Sequence, residues 1–210
     1  MALLRQLPNA ITLTRLIGGP ALAYVFANGS ERPTAFFTVI FVWFFCLVAT
    51  DWLDGFLAHL LGAQSRFGAI LDPLADKALA WSFLGFFFFG TRVFNAWMFV
   101  PLGILAIFDL YSTIRRFIQR KAPETHLRAN WFGKWKAVMS YLSIACLLSA
   151  TIAVSFLYEF WDSASDEMLM GAVFVSKFSM MMAQISIAAA ALFAFFSTLL
   201  EGLRRVPAQH

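Results

Sequence analysis

Asp51, Asp54, Asp72 and Asp76 fall in a single run, DWLDGFLAHLLGAQSRFGAILDPLAD, and make up a third of the 12 acidic residues in the chain. Apolar segments of helix length flank that run on both sides. A carboxylate next to hydrocarbon costs about 2.5–3.5 kcal/mol at a helix centre, so a cluster of this kind calls for a compensating partner. Metal is the obvious one. Oxygen ligands with no His or Cys among them select a hard cation, Mg²⁺, Mn²⁺ or Ca²⁺. Four carboxylates exceed what one Mg²⁺ usually takes from protein; two ions about 3.5–4 Å apart use them better and can clamp a diphosphate.

Such a site needs helices to build it. Asp51, Asp54, Gly55 and Ala58 follow i, i+3, i+4, i+7 spacing, which is one face of a helix, and Asp72 and Asp76 follow i, i+4 spacing on a second. The short polar break LLGAQSRFG folds the second helix back beside the first, so that the carboxylates converge at two neighbouring helix ends. Gly55 and Gly68 lie on or beside this face and Ala58 keeps it shallow, which lets a ligand approach the backbone. The plainer alternative is a set of interfacial caps. Asp72-Pro73 has the form of a helix start, Asp at the cap and Pro at the first helical position. That accounts for one aspartate, not for four on matching faces.

The rest of the chain is solvent-averse. Of 210 residues 60% are hydrophobic and 13% charged, with 25 Phe and 7 Trp, and the mean hydropathy is +0.73. A soluble domain carries about 25% charged residues. The apolar surface exceeds what so small a domain can bury, so lipid is the solvent for most of it. Long unalternated apolar runs point to helices rather than a barrel. Six membrane segments are expected, at roughly 11–28, 35–57, 72–90, 94–117, 133–157 and 171–200, in a single domain covering 1–210. The stretch LLRQLPNAITLTR ahead of the first is expected to lie along the interface. Pro8, Asn9, Thr12 and Arg15 interrupt any signal-peptide core there. Cys46 and Cys146 sit in separate apolar runs without metal-ligand spacing.

All but Arg32, Arg92 and Lys177 of the 16 lysines and arginines fall on the side of the termini. The positive-inside rule then places both termini, the aspartate loop and the basic loop after the fourth segment in the cytoplasm. The basic balance thus reflects orientation, and no nucleic-acid partner is implied.

The acidic run reads D-x2-D-G-x2-A-H-x8-G-x3-D-x3-D. It resembles the signature of the CDP-alcohol phosphotransferases (CDP-alcohol phosphatidyltransferases), which has Arg where His59 stands. The opening PNAITLTR and the later GKWK are similar to the bacterial phosphatidylglycerophosphate synthase branch, and the resemblance spans nearly the whole chain. It implies an all-α integral membrane enzyme of the bacterial inner membrane. Such an enzyme moves a phosphatidyl group from CDP-diacylglycerol to an alcohol and releases CMP, with two Mg²⁺ or Mn²⁺ ions as cofactors and a homodimeric assembly. Carried over by position, Asp51, Asp54 and Asp72 are metal ligands, and Asp76 is a shared ligand and the base that takes the acceptor proton. Gly55, Ala58, His59 and Gly68 shape the cytidine and diphosphate pocket. His59 exchanges a permanent cation for a group that titrates near neutral pH. If it still contacts a phosphate, activity falls as the pH rises through its titration, and His59→Arg removes that fall.

On the acceptor side, Arg116 and Lys136 match the branch's segments. Phe108, Asp109, Ala137 and Ser140 stand where Arg, Glu, Thr and Gln are usual. Glycerol 3-phosphate is the expected acceptor, with phosphatidylglycerol, the acceptor of the superfamily's cardiolipin synthases, as the alternative. The plainer reading of the basic residues is flanking charge that meets anionic lipid. Two other classes fit less well. An intramembrane prenyltransferase resembles two separate Asp-rich motifs, and the second half of this chain has none. A cation transporter or scaffold wants charge near the bilayer midplane or needs no such set.

Overall fold

Backbone N–H and C=O groups surrounded by apolar side chains pair internally only as helix or closed barrel. The computed structural model takes the first route throughout its described residues, which are 7–28, 33–60, 68–90, 99–119 and 131–203, with side chains described for 10–28, 33–50, 74–87, 99–115 and 131–200. Six α-helices follow one another: α1 Leu7–Ala27, α2 Thr34–Leu60, α3 Gly68–Gly90, α4 Phe99–Gln119, α5 Trp131–Phe160 and α6 Asp166–Leu203. Three are long and apolar enough by themselves to cross a membrane, over Ala10–Ala27, Trp131–Phe160 and Asp166–Leu200, and Thr34–Thr50 of α2 forms a shorter apolar helix. Large apolar side chains such as Ile17, Tyr24, Trp43, Phe174 and Leu192 stand exposed along these helices. Such continuous outward apolar faces fit hydrocarbon and not water. The protein is an integral membrane protein.

Helix ends follow local chemistry. The tight link from α5 to α6 begins with Ser163 and Ala164 donating their N–H groups to the Phe160 carbonyl. Ser165 then caps α6, its hydroxyl accepting from the Met168 N–H at 3.4 Å, and Asp166 and Glu167 occupy the first turn, where a helix dipole favours negative charge. At the start of α2, the Thr34 N–H donates to a Glu159 carboxylate oxygen at 2.6 Å, which supplies an acceptor to an otherwise orphaned helix-end donor.

Two expectations change. The segment expected to lie along an interface before the first span is, from Leu7 onward, part of α1, and Thr12 and Arg15 within it are buried. The reason is packing: the face that carries them is covered by α3. Asp72-Pro73, which has the form of a helix start, lies inside α3, because Gly68, Ala69, Ile70 and Leu71 extend the helix ahead of it.

The chain gathers into two compact units, one of residues 1–93 with 144–179, the other of 94–143 with 180–210. In the first, the α1 face that buries Thr12, Arg15, Gly19, Ala23 and Phe26 repeats every three or four residues. It meets an α3 face of Ala75, Leu79, Phe83 and Phe87, all buried. Gly19 makes the approach possible: a Cβ there would lie 2.9 Å from the Leu79 Cα. Phe26 caps the seam among Phe37, Phe83, Phe86 and Phe87, with ring centroids 4.8–6.4 Å away. In the second unit, Phe132 and Trp135 pack on Phe193, and Phe108 meets Phe195 at 5.6 Å.

Candidate active site

Pairings along the first unit fix the directions of its helices. Arg15 meets Asp76 and Gly19 meets Leu79, while Phe26 meets Phe86 and Phe87, so α1 and α3 run parallel. Gly18 approaches Leu47 whereas Phe26 meets Phe37, so α1 and α2 run antiparallel. Hence α2 and α3 are antiparallel, and the contact of Phe44 with Phe83 at 5.2 Å sets their register. About two turns on from Phe44 along α2 comes Asp51, and about two turns back from Phe83 along α3 comes Asp76. About three turns in each direction come Asp54 and Asp72. This register brings the backbone positions of the four aspartates to corresponding levels of two helices, both helical there.

Of the expected site residues on these helices, Asp76 is the one whose side chain is described. The side chains of Asp51, Asp54, Gly55, Ala58, His59, Gly68 and Asp72 lie outside the described residues. Among the described residues there is no group of three His, Cys, Asp or Glu side chains that could hold a metal ion. The donor set itself fits a hard divalent cation: four carboxylates at helical spacing.

Asp76 has a partner that sequence reasoning placed elsewhere. Its Oδ1 accepts from Arg15 Nη1 at 2.6 Å, with the arginine side chain 0% and the aspartate 35% exposed. Arg15 was expected among the flanking cytoplasmic charges, yet it is wholly enclosed on the α1 face that packs against α3. A buried guanidinium demands a carboxylate, because an uncompensated buried charge is very costly. The signal was present in the sequence as an arginine inside a segment of membrane-spanning length.

In the second unit, α4 turns Leu102, Leu105 and Asp109 inward at helical spacing, and Lys136 of α5 donates to the Asp109 carboxylate in an ion pair whose two side chains are 18% and 12% exposed. Lys136 therefore already has an anionic partner of its own helix bundle. Ser140 donates to the Lys136 carbonyl at 2.9 Å, one turn along α5. Arg116 lies on α4 with its side chain outside the described residues.

A family model described as CDP-alcohol phosphatidyltransferase matches residues 5–161. A CDP-diacylglycerol–glycerol-3-phosphate 3-phosphatidyltransferase of Cereibacter sphaeroides is 33% identical over 147 residues, which is 70% of this chain and 64% of the relative. Proteins of the same name from Haemophilus influenzae and Escherichia coli K12 are 31% and 29% identical over 68% of this chain, and the match covers 75% and 76% of their lengths. No solved structure matches the chain.

Proposed function

The chain belongs to the CDP-alcohol phosphatidyltransferase family, and on that premise we propose that it transfers the phosphatidyl group of CDP-diacylglycerol to glycerol 3-phosphate and releases CMP. The observation that carries this reading is the signature from Asp51 to Asp76, seven of its eight positions kept and His59 in place of the Arg, set on two antiparallel helices of a membrane protein whose relatives are named for this transfer.

The family depends on divalent cations. In this chain Asp51, Asp54, Asp72 and Asp76 would hold them, as Mg²⁺ or Mn²⁺, and the ions would neutralise the diphosphate of the donor. Gly55, Ala58 and Gly68 leave room for the cytidine and diphosphate, and His59 supplies a donor to a phosphate oxygen. Asp76 takes the proton of the acceptor hydroxyl. The acceptor oxygen bonds to the phosphorus that carries the diacylglycerol. The bond from that phosphorus to the bridging oxygen breaks, and its electron pair leaves on CMP. Arg116 and Lys136 are the proposed contacts of the acceptor phosphate, with Asp109 sharing the lysine. The resemblance supports a homodimer, and the charge distribution supports six crossings with the site and both termini at the cytoplasmic face of the bacterial inner membrane.

The test is an acceptor screen. Purified protein with CDP-diacylglycerol and Mg²⁺ is offered glycerol 3-phosphate, phosphatidylglycerol, inositol phosphate and serine, with CMP and lipid product measured. Metal-dependent CMP release with glycerol 3-phosphate alone is the expected result, and Lys136→Gln should raise the KM for that acceptor while leaving the KM for the donor unchanged. Turnover with phosphatidylglycerol in its place would reassign the acceptor, and no CMP release from the donor with any alcohol would remove the transferase reading.

A further inference from the structure

We infer that Arg15 is a positioning residue for Asp76, fixing the direction in which that carboxylate faces its ligands. The inference rests on the proposed role of Asp76 in the transferase site.

The pair is closed on one side and open on the other. Arg15 is 0% exposed, while the Asp76 side chain retains 35% of its exposure. The arginine is sealed away from any substrate; the aspartate is not. Arg15 Nη1 engages Oδ1 at 2.6 Å, a charge-assisted bond that ties the carboxylate to one orientation. The arginine is itself held firmly. One turn along α1, Gly19 brings the two helix backbones so close that a Cβ would sit 2.9 Å from the Leu79 Cα. Thr12 and Ala23 on the same face are buried as well. The guanidinium thus reaches Asp76 from a helix locked against the one that carries it.

Stability alone does not call for an arginine here, since a well-packed apolar pair of similar volume holds two helices at least as well as a buried ion pair. Metal affinity does not call for it either: a fixed positive charge beside a carboxylate opposes the binding of a second cation to it. What remains is geometry. A carboxylate that must both face a cation and accept a proton works only in one narrow orientation, and a misplacement of about 1 Å costs about 10²-fold in rate.

The two alternatives, orientation and mere support of the fold, differ in what they do to metal binding. The full chain in lipid nanodiscs is titrated with Mn²⁺ by electron paramagnetic resonance, and CMP release is followed with CDP-diacylglycerol and glycerol 3-phosphate at saturating Mn²⁺. Arg15→Gln is expected to lower kcat by about 10²-fold and Arg15→Lys, which keeps the charge but not the planar fork, by about tenfold. In both, Mn²⁺ binds at least as tightly as in the wild type and the KM for the donor is unchanged. A variant that keeps the wild-type kcat overturns the inference. So does weakening of Mn²⁺ binding in step with kcat, because that is the signature of a damaged fold. Arg15→Lys preserves the buried charge and decides the matter where Arg15→Gln does not fold. Wild-type protein that binds Mn²⁺ yet releases no CMP strikes at the transferase reading instead.

Discussion

Asp76 carries two burdens, and they pull on any experiment that alters it. As a proposed ligand and base it faces the site; as the partner of Arg15 it neutralises a wholly buried cation. Asp76→Asn is therefore expected to do more than stop turnover. It breaks the ion pair of an enclosed guanidinium, and removing one partner of a buried pair costs about 3 kcal/mol or more. Unfolding in detergent should register that loss, while donor binding persists. Adding Arg15→Met to Asp76→Asn should restore much of the stability and none of the activity, since the two residues act as one unit for folding. Independent, additive losses of stability would show that the pair is not coupled. The lesson for reading such a chain lies in the same residue. The spacing of the aspartates is legible from sequence because helical periodicity alone puts them on shared faces. The pairing of Arg15 with Asp76 is not, because 61 positions separate them and only the packing of α1 on α3 brings them together. The Lys136–Asp109 pair is of the same kind: each residue was visible, one as a candidate and one as a substitution, but their contact belongs to the tertiary structure.

At the scale of elements, α1 is the organiser of the first unit. It packs parallel to α3 and antiparallel to α2, and so sets the register between the two helices that carry the aspartates. Its neighbouring glycines have different jobs. A Cβ at Gly19 would strike Leu79 backbone at 2.9 Å, whereas one at Gly18 would meet only the tip of the Leu47 side chain, at 3.5 Å. Gly19→Ala should then force the helices apart and cost about 1–3 kcal/mol, with a fall in turnover because Arg15 and Asp76 move with their helices. Gly18→Ala should be tolerated. Thermal unfolding and CMP release on the two variants check this, and equal behaviour would refute the proposed close approach. The pattern of long apolar runs located the six helices of the described residues, because apolar composition forces helix in lipid. It misjudged their ends where local signals competed: Asp72-Pro73 has the chemistry of a start, yet the apolar residues before it prolong α3.

For the whole molecule, composition and charge say most. Lipid-facing aromatic and aliphatic side chains cover the exposed faces of the described helices, and the basic residues gather on one side of the expected crossings. The proposed topology places residues 121 and 208 in the cytoplasm and 163 across the membrane. In a variant with Cys46 and Cys146 replaced by Ala, single cysteines at these positions should be labelled by an impermeant maleimide accordingly. Labelling of 121 and 163 from the same side would contradict the topology.

The central claim is that the carboxylates of α2 and α3 together hold hard cations for the donor diphosphate. Its most direct test is the number of Mn²⁺ ions bound per chain in the presence of CDP-diacylglycerol, for the wild type and for Asp51→Ala and Asp72→Ala. The account expects about two in the wild type and a clear loss in each variant, one from either helix. Wild-type protein that binds none, or variants that bind as many as the wild type, would contradict it.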